Sequence, residues 1–199
     1  IKKQSLVYRG FFLMDKKIDI RQLNLEELTL KLTDLGEKPF RAKQIHEWLW
    51  KKRATSFDQM TNLSLSLRKT IEDNFIINAI QLTEAQKSND KTIKNAFLLA
   101  DSSVVEGVLI PTKKRMTACV SVQVGCSLDC AFCATGKLKR VRNLNPDEIY
   151  DQVVMISQQS KNEYDIPLSN IVFMGMGEPL LNYKNVISSI DKITSKDGL

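Results

Sequence analysis

Between residues 24 and 75 the apolar positions recur at helical spacing. Leu25, Leu28, Leu30 and Leu32 supply the apolar positions of a first helix, Asn24 and Glu27 have the spacing of a capping pair, and Gly36 is a natural stop. Pro39 precedes a second helix through Ala42, Ile45, Trp48 and Leu49, and a third is expected over residues 65–73. Together these read as a small helical domain, residues 14–78. The pattern then shortens to strand-like runs over residues 79–82, 94–99 and 104–110, broken by Ser88, Asn89, Asp90 and Asp101. This predicts a small antiparallel β segment over residues 79–117. From residue 118 strands alternate with helices: a strand over 118–124, a helix over 146–159 capped by Asn145, a buried strand over 170–174 and a helix over 183–194 carrying Val186, Ile187, Ile190 and Ile193. Two β/α units cannot close a parallel sheet or barrel, whose strands are covered on both faces. The expected fold class is therefore α/β, with a partial (β/α) barrel over residues 118–199 that stops within a domain at Leu199. The chain opens on Ile1, and Met14 is expected to be the natural start, with residues 1–13 an upstream or ragged extension.

Composition narrows the function classes. The 199 residues are 43% hydrophobic and 26% charged, which excludes wholesale disorder. No run approaches the roughly 18–20 apolar residues of a membrane-spanning helix, and the apolar stretch near the start is too short for a secretory signal and lacks a cleavage pattern. A soluble, cytoplasmic protein with no membrane partner is expected. The net charge of +6 favours anionic partners, RNA among them, because phosphate backbones reward Lys and Arg. Two basic groups, Lys113, Lys114 and Arg115, then Lys137, Lys139, Arg140 and Arg142, flank the most unusual part of the sequence. They suit RNA phosphates and equally suit a solvated surface.

That part holds all four cysteines, at 119, 126, 130 and 133. In a cytosolic setting such clustering points to metal rather than to a disulfide framework. Cys126, Cys130 and Cys133 form CxxxCxxC inside GCSLDCAFCATG. Three thiolates on a [4Fe–4S] cubane leave one iron without a protein ligand, able to take the amino and carboxylate groups of S-adenosylmethionine (SAM) and to set up its reductive cleavage to a 5′-deoxyadenosyl radical. The alternative is a structural zinc site using all four cysteines in a non-catalytic RNA-binding module. Zinc sites usually use separated CxxC pairs, whereas here the close group is a triad. Phe132 could pack in the loop or lie against the SAM adenine. In GMGEPL, one β/α unit later, Gly175 and Gly177 allow a backbone to approach a ligand at a strand end, and Glu178 could accept bonds from the SAM ammonium. His46, Trp48 and Trp50 read as packing or surface residues.

The stretches KPFRAKQIHEWLW, VVEGVLIP, TACVSVQVGCSLDCAFCATG and FMGMGEPLLNY together resemble the RlmN/Cfr family of radical SAM RNA methyltransferases, and the resemblance covers residues 14–199. It implies a radical SAM barrel preceded by a small accessory domain, and methylation of adenine C2 in 23S rRNA and tRNA, with a Cfr-type C8 methylation as the alternative. It further implies a methyl-carrying cysteine near the family's C-terminus, an electron-donor reductase as partner and a monomeric enzyme. By the same resemblance Glu106 matches the proton acceptor, and Cys119 the cysteine that resolves the protein–RNA crosslink by forming a disulfide with the methyl-carrying residue. No cysteine follows Cys133, so that residue is not among these 199 and the chain alone is not expected to complete a turnover.

Overall fold

The computed structural model describes residues 17–113 and 115–195. The expected extension over residues 1–13, the start at Met14, the cation Lys114 and the stop at Leu199 lie outside the described residues.

The helical unit forms as its periodicity predicts. Strand β1 (Ile18–Asp19) leads through a 3₁₀ turn, Ile20–Gln22, into helix α1 (Leu25–Asp34). The α1 N-terminus is closed by a reciprocal pair: the Glu27 amide donates to Asn24 Oδ1 at 2.9 Å and the Asn24 amide to Glu27 Oε2 at 2.8 Å. Gly36, at φ +82°, takes the left-handed turn after the helix. Helices α2 (Phe40–Trp50) and α3 (Leu65–Asn74) follow, and strand β2 (Phe75–Ile76) returns to pair in parallel with β1. Leu28, Leu32, Ala42, Ile45, Leu49, Leu67 and Ile71 make the core. Leu30 instead points to solvent, because it lies two residues from Leu28 and so on another side of the helix. The β1–β2 pair had no sequence signal, since two residues are too few to show a period.

The rest is a five-stranded sheet with helices on one side and a separate two-stranded ribbon. Strands β3 (Gln81–Lys87), β4 (Ile93–Leu98), β5 (Val104–Pro111) and β6 (Met116–Cys119) run antiparallel in that order. A short ribbon, β7 (Gln123–Val124) with β8 (Arg142–Asn143), stands apart, and helix α4 (Pro146–Tyr164) crosses to β9 (Asn170–Val172), which pairs in parallel with β6 before helix α5 (Tyr183–Thr194). The antiparallel run and the β/α units thus share a continuous sheet, β3-β4-β5-β6-β9. The strand expected over residues 118–124 divides: β6 ends at Cys119 and residues 123–124 join a different sheet. β3 runs to Lys87 with every residue exposed, so no alternation marked its length. Helix α4 runs five residues past its expected end, to Tyr164, where Asp165 turns left-handed at φ 54°.

Cross-strand register sorts the two faces. Phe97 and Val105 pair, as do Asn95 and Gly107, and Leu109 and Ala118, and all are buried on the side that α4 covers. The sheet and α4 approach closely at Gly107: a Cβ there would sit 2.7 Å from the Phe97 ring and 3.2 Å from Ile156 Cδ1. Asn95 and Gln159 exchange two amide hydrogen bonds of 2.9 Å across the same contact. The opposite face carries Lys94, Ala96, Glu106, Val108, Cys119 and Val172.

A buried ionic seam joins the helical unit to α4. Arg21 Nη1 donates to both carboxylate oxygens of Asp151 at 2.9 Å, while Nη2 reaches the Asn78 carbonyl at 2.7 Å and Asp147 Oδ2 at 3.2 Å. Beside it, the Tyr150 hydroxyl donates to the Trp50 carbonyl at 2.6 Å, and the two rings meet edge to face at 5.3 Å. Burial, with Asp19 and Asp151 nearby, outweighs the attraction of Arg21 and pushes Asp147 up to about 7. The folded chain therefore binds this proton more tightly than the unfolded chain, and stability falls as pH rises from about 4 towards that value. Asp147→Asn removes the titration, so urea unfolding at pH 5 and pH 7.5 should show the variant gaining on the wild type at the higher pH.

Candidate metal and cofactor site

Because β6 and β9 are parallel, their carboxyl ends open on the same side, the usual ligand end of such sheets. The segments leaving them are laced together rather than splayed. Val120 N–H donates to the Val172 carbonyl at 3.0 Å, Gly175 N–H to the Val120 carbonyl at 3.0 Å, and the Val122 and Gln123 amides both to the Met176 carbonyl, at 2.9 and 3.1 Å. Ser121, fully buried, donates through Oγ to the Glu106 carbonyl at 2.5 Å and accepts from the Met176 amide at 2.8 Å. Gln152 on α4 meets both the amide and the carbonyl of Ser121, at 2.9 and 3.1 Å. Side chains are excluded at the glycines: a Cβ on Gly175 would lie 2.7 Å from Ser121 Oγ, and one on Gly177, at φ +94°, 2.5 Å from Gln123 Cβ. Glu178 caps the following turn, Pro179–Asn182, by accepting the Leu180 amide at 3.0 Å.

The cysteine loop starts from this laced segment. Gly125, at φ +71°, lets the backbone pass within a Cβ's reach of the Lys139 carbonyl, and the Cys126 amide donates to the Leu138 carbonyl at 3.3 Å. The loop is thus closed at its neck, with the three thiols along its length. Cys126 Sγ accepts the Leu128 amide at 3.4 Å, and the Cys133 amide donates to the Cys130 carbonyl at 3.0 Å. Amides of Gly136 and Thr135 directed at the Cys133 sulfur lower its pKa and favour the thiolate. Cys130 is exposed, Cys126 and Cys133 are half-buried, and all are free thiols. Among the described residues no three His, Cys, Asp or Glu side chains converge on a single-ion site. A four-iron cubane holds its thiolates around a larger body than one ion.

Phe132 is 94% exposed, so packing within the loop does not account for it. Glu106 and Cys119 share the open face of the sheet: Cys119 pairs with Val108, two residues from Glu106 on β5. The Glu106 carboxylate lies 3.1 Å from Lys94 Nζ, both half-exposed. Burial pushes the Cys119 thiol up, partly offset by the Met174 amide. Lys113, Arg115, Lys137, Lys139 and Arg140 are exposed. Arg142, grouped with them on sequence, is instead engaged by Glu148 through two bonds of 2.8 Å and by Asp101 at 2.6 Å, because its position on β8 turns it towards the start of α4. The residues that sequence reasoning missed are Ser121, Gln123, Asn143 and Gln152. Ser121 and Gln123 did carry a signal, as polar residues alternating with valines in a run that is otherwise apolar.

A solved structure of a radical SAM methyltransferase from Sphaerobacter thermophilus superposes with a TM-score of 0.78 at 35% identity, over 91% of this chain and 53% of that one. The fold is thus similar to that of a radical SAM methyltransferase over the part of that protein that this chain spans. Residues 18–77 match the model of the ribosomal RNA large subunit methyltransferase N-terminal domain. A protein of Christiangramia forsetii named as a probable dual-specificity RNA methyltransferase RlmN is 61% identical over 93% of this chain and 53% of its own length. The dual-specificity RNA methyltransferase RlmN of Geotalea uraniireducens is 44% identical over 92% of this chain and 52% of its own length. Over about nine-tenths of its length the chain is similar to proteins named RlmN, and it spans about half the length of the curated relatives it matches.

The contrast between the two best-described thiols is directly measurable. In the reduced, metal-free chain at neutral pH, iodoacetamide should label Cys133 well before Cys119, as read by peptide mass spectrometry; equal rates would contradict the assigned environments.

Proposed function

We propose that this chain is the cluster-binding and SAM-binding portion of a radical SAM enzyme that methylates C2 of adenine in 23S rRNA and tRNA through a methyl-cysteine. The observation that carries the reading is that residues 120–123, which lead from β6 into the CxxxCxxC loop, are hydrogen-bonded to the GMGEPL loop leaving β9. The donor set fits a [4Fe–4S] cluster: Cys126, Cys130 and Cys133 are soft ligands, and backbone amides already face two of the sulfurs. These three would hold the cluster, leaving one iron for SAM, and the pair supplies reductive cleavage of SAM to a carbon radical when bound.

The remaining roles belong to the chain's own side chains. Gly175 and Gly177 keep the wall of the SAM site free of side chains, Glu178 accepts the SAM ammonium with the oxygen not used for capping, and Phe132 lies against the adenine. On the open face Glu106 acts as proton acceptor, and the Cys119 thiolate attacks the sulfur of the methyl-carrying cysteine, which is not among these 199 residues. The S–S bond forms as that sulfur's bond to the RNA-linked carbon breaks, and the electron pair leaves on that carbon, which is then protonated. The exposed cations Lys113, Arg115, Lys137, Lys139 and Arg140 hold RNA phosphates near the loop. Residues 14–78 serve as the accessory domain, residues 79–117 as the β segment leading into the barrel, and residues from 118 onward as the first part of that barrel. A reductase supplies the electron, and the enzyme works as a cytoplasmic monomer. Among the described residues no helix is long and apolar enough to cross a membrane.

Anaerobic reconstitution of the whole gene product with iron and sulfide should give a reduced cluster whose electron paramagnetic resonance changes on adding SAM. Cys130→Ala should assemble no such cluster. Digested rRNA from cells carrying the enzyme should contain 2-methyladenosine. Finding 8-methyladenosine instead would move the reading to Cfr-type chemistry, and stoichiometric zinc without iron or sulfide would move it to a zinc-dependent RNA-binding module.

A further inference from the structure

One fully buried polar side chain beside the proposed site has no role in the reading so far. Gln123 lies on β7, three residues before Cys126, in a run where the neighbouring buried positions are valines. An amide there must be matched on both its donor and its acceptor side, because a buried unpaired group keeps its full desolvation penalty. Both sides are matched. Oε1 accepts the Glu178 backbone amide at 3.0 Å, and Nε2 donates to Asn143 Oδ1 at 2.8 Å. Its Cβ and Cγ are also what a side chain on Gly177 would strike, at 2.5 and 2.6 Å.

The contacts of Asn143 extend the clamp. Its Oδ1 also accepts from Arg140 Nη2 at 2.9 Å, and its Nδ2 donates to the Leu181 carbonyl at 3.2 Å. The Gln123–Asn143 pair therefore grips the turn after the glycine loop at Glu178 and again at Leu181, and ties both to the first arginine beyond the cysteine loop. The far end of that turn is pinned separately, by Asn182 Nδ2 to the Val122 and Leu144 carbonyls at 2.8 and 2.9 Å. Among the described residues the side-chain bond to the Glu178 amide comes from Gln123. An amide of this length presents an acceptor to a backbone N–H and, at the same time, a donor to Asn143.

We propose that Gln123 is a positioning residue for the SAM site, fixing the backbone of Glu178 and Gly177 against the ribbon that carries the cysteine loop. It touches neither cluster nor SAM in this role; it acts by setting where Glu178 stands. The proposal rests on the SAM-site reading above. Supporting residues of this kind typically change affinity by about 10- to 100-fold when removed.

The test uses Gln123→Met in the whole gene product, which keeps the side-chain volume and removes both hydrogen bonds. Iron content after reconstitution and the thermal midpoint report folding and cluster assembly. Equilibrium SAM binding should weaken by roughly tenfold or more at unchanged iron content. Amide exchange of the metal-free protein should quicken at residues 175–178 and not in β4 or β5, a readout that needs no cofactor. Wild-type SAM affinity in a folded, cluster-loaded Gln123→Met protein would overturn the proposal and leave the SAM site itself standing. A wild-type protein whose cluster ignores SAM would overturn both. Should Gln123→Met fail to fold, Asn143→Ala tests the same clamp from its less buried end: weaker SAM binding at full iron content supports the role, and unchanged binding refutes it.

Discussion

The arrangement depends on where the backbone amides of residues 120–123 are directed. In an uninterrupted strand alternate amides would face β9 and β5. The Val120 and Val122 amides do face the β9 side, at the carbonyls of Val172 and Met176, but the Ser121 amide leaves the β5 side for Gln152 Oε1, and the Ser121 hydroxyl fills the place beside the Glu106 carbonyl. Backbone groups buried at this depth must be paired, so the diversion holds only if the second loop stays in contact along its length. That requirement explains the glycines at 175 and 177 and the buried Gln152 behind Ser121. It also delivers the cysteine loop and the glycine loop to one place.

Much of this was legible in the sequence and some was not, for identifiable reasons. Helices α1, α2, α3 and α5 were readable to within a residue or two because their apolar stripes and caps are local signals. The extent of β3 was not, because an edge strand exposed on both sides has no alternation to read. The split of the run 118–124 was hidden for a different reason: its cause is a hydrogen-bonding partner some fifty residues away, and an apolar run looks the same whichever strand accepts its amides. Among site residues, the cysteines and the glycine–glutamate loop stood out by spacing. Of their supports, Ser121 and Gln123 showed as polar residues alternating with valines, whereas Asn143 and Gln152 are recognised only by what they touch. Arg142 shows the opposite error, a cation whose sequence neighbours suggested solvent and whose strand position gives it two carboxylates.

The helical unit is joined to the sheet layer by a polar seam as well as an apolar one. Trp50 and Tyr150 supply the apolar part. Arg21 supplies the polar part, gathering Asp147, Asp151 and the Asn78 carbonyl around one guanidinium. Replacing such a buried group by an apolar one can be neutral, while deleting one partner leaves an uncompensated charge. The seam therefore specifies how the two parts sit together more than it strengthens their contact.

The engagement of Arg142 also changes how the charge of the chain is to be counted. The formal value of +6 treats every arginine and lysine alike. Counterion release, however, is driven by cations that a polyanion can reach. With its guanidinium held between Glu148 and Asp101, Arg142 works as a mechanical tie between β8, the start of α4 and the β4–β5 turn. In the proposed RNA-binding role, ionic-strength dependence would be set by the exposed lysines with Arg115 and Arg140, while Arg142 ties together the surface beside them.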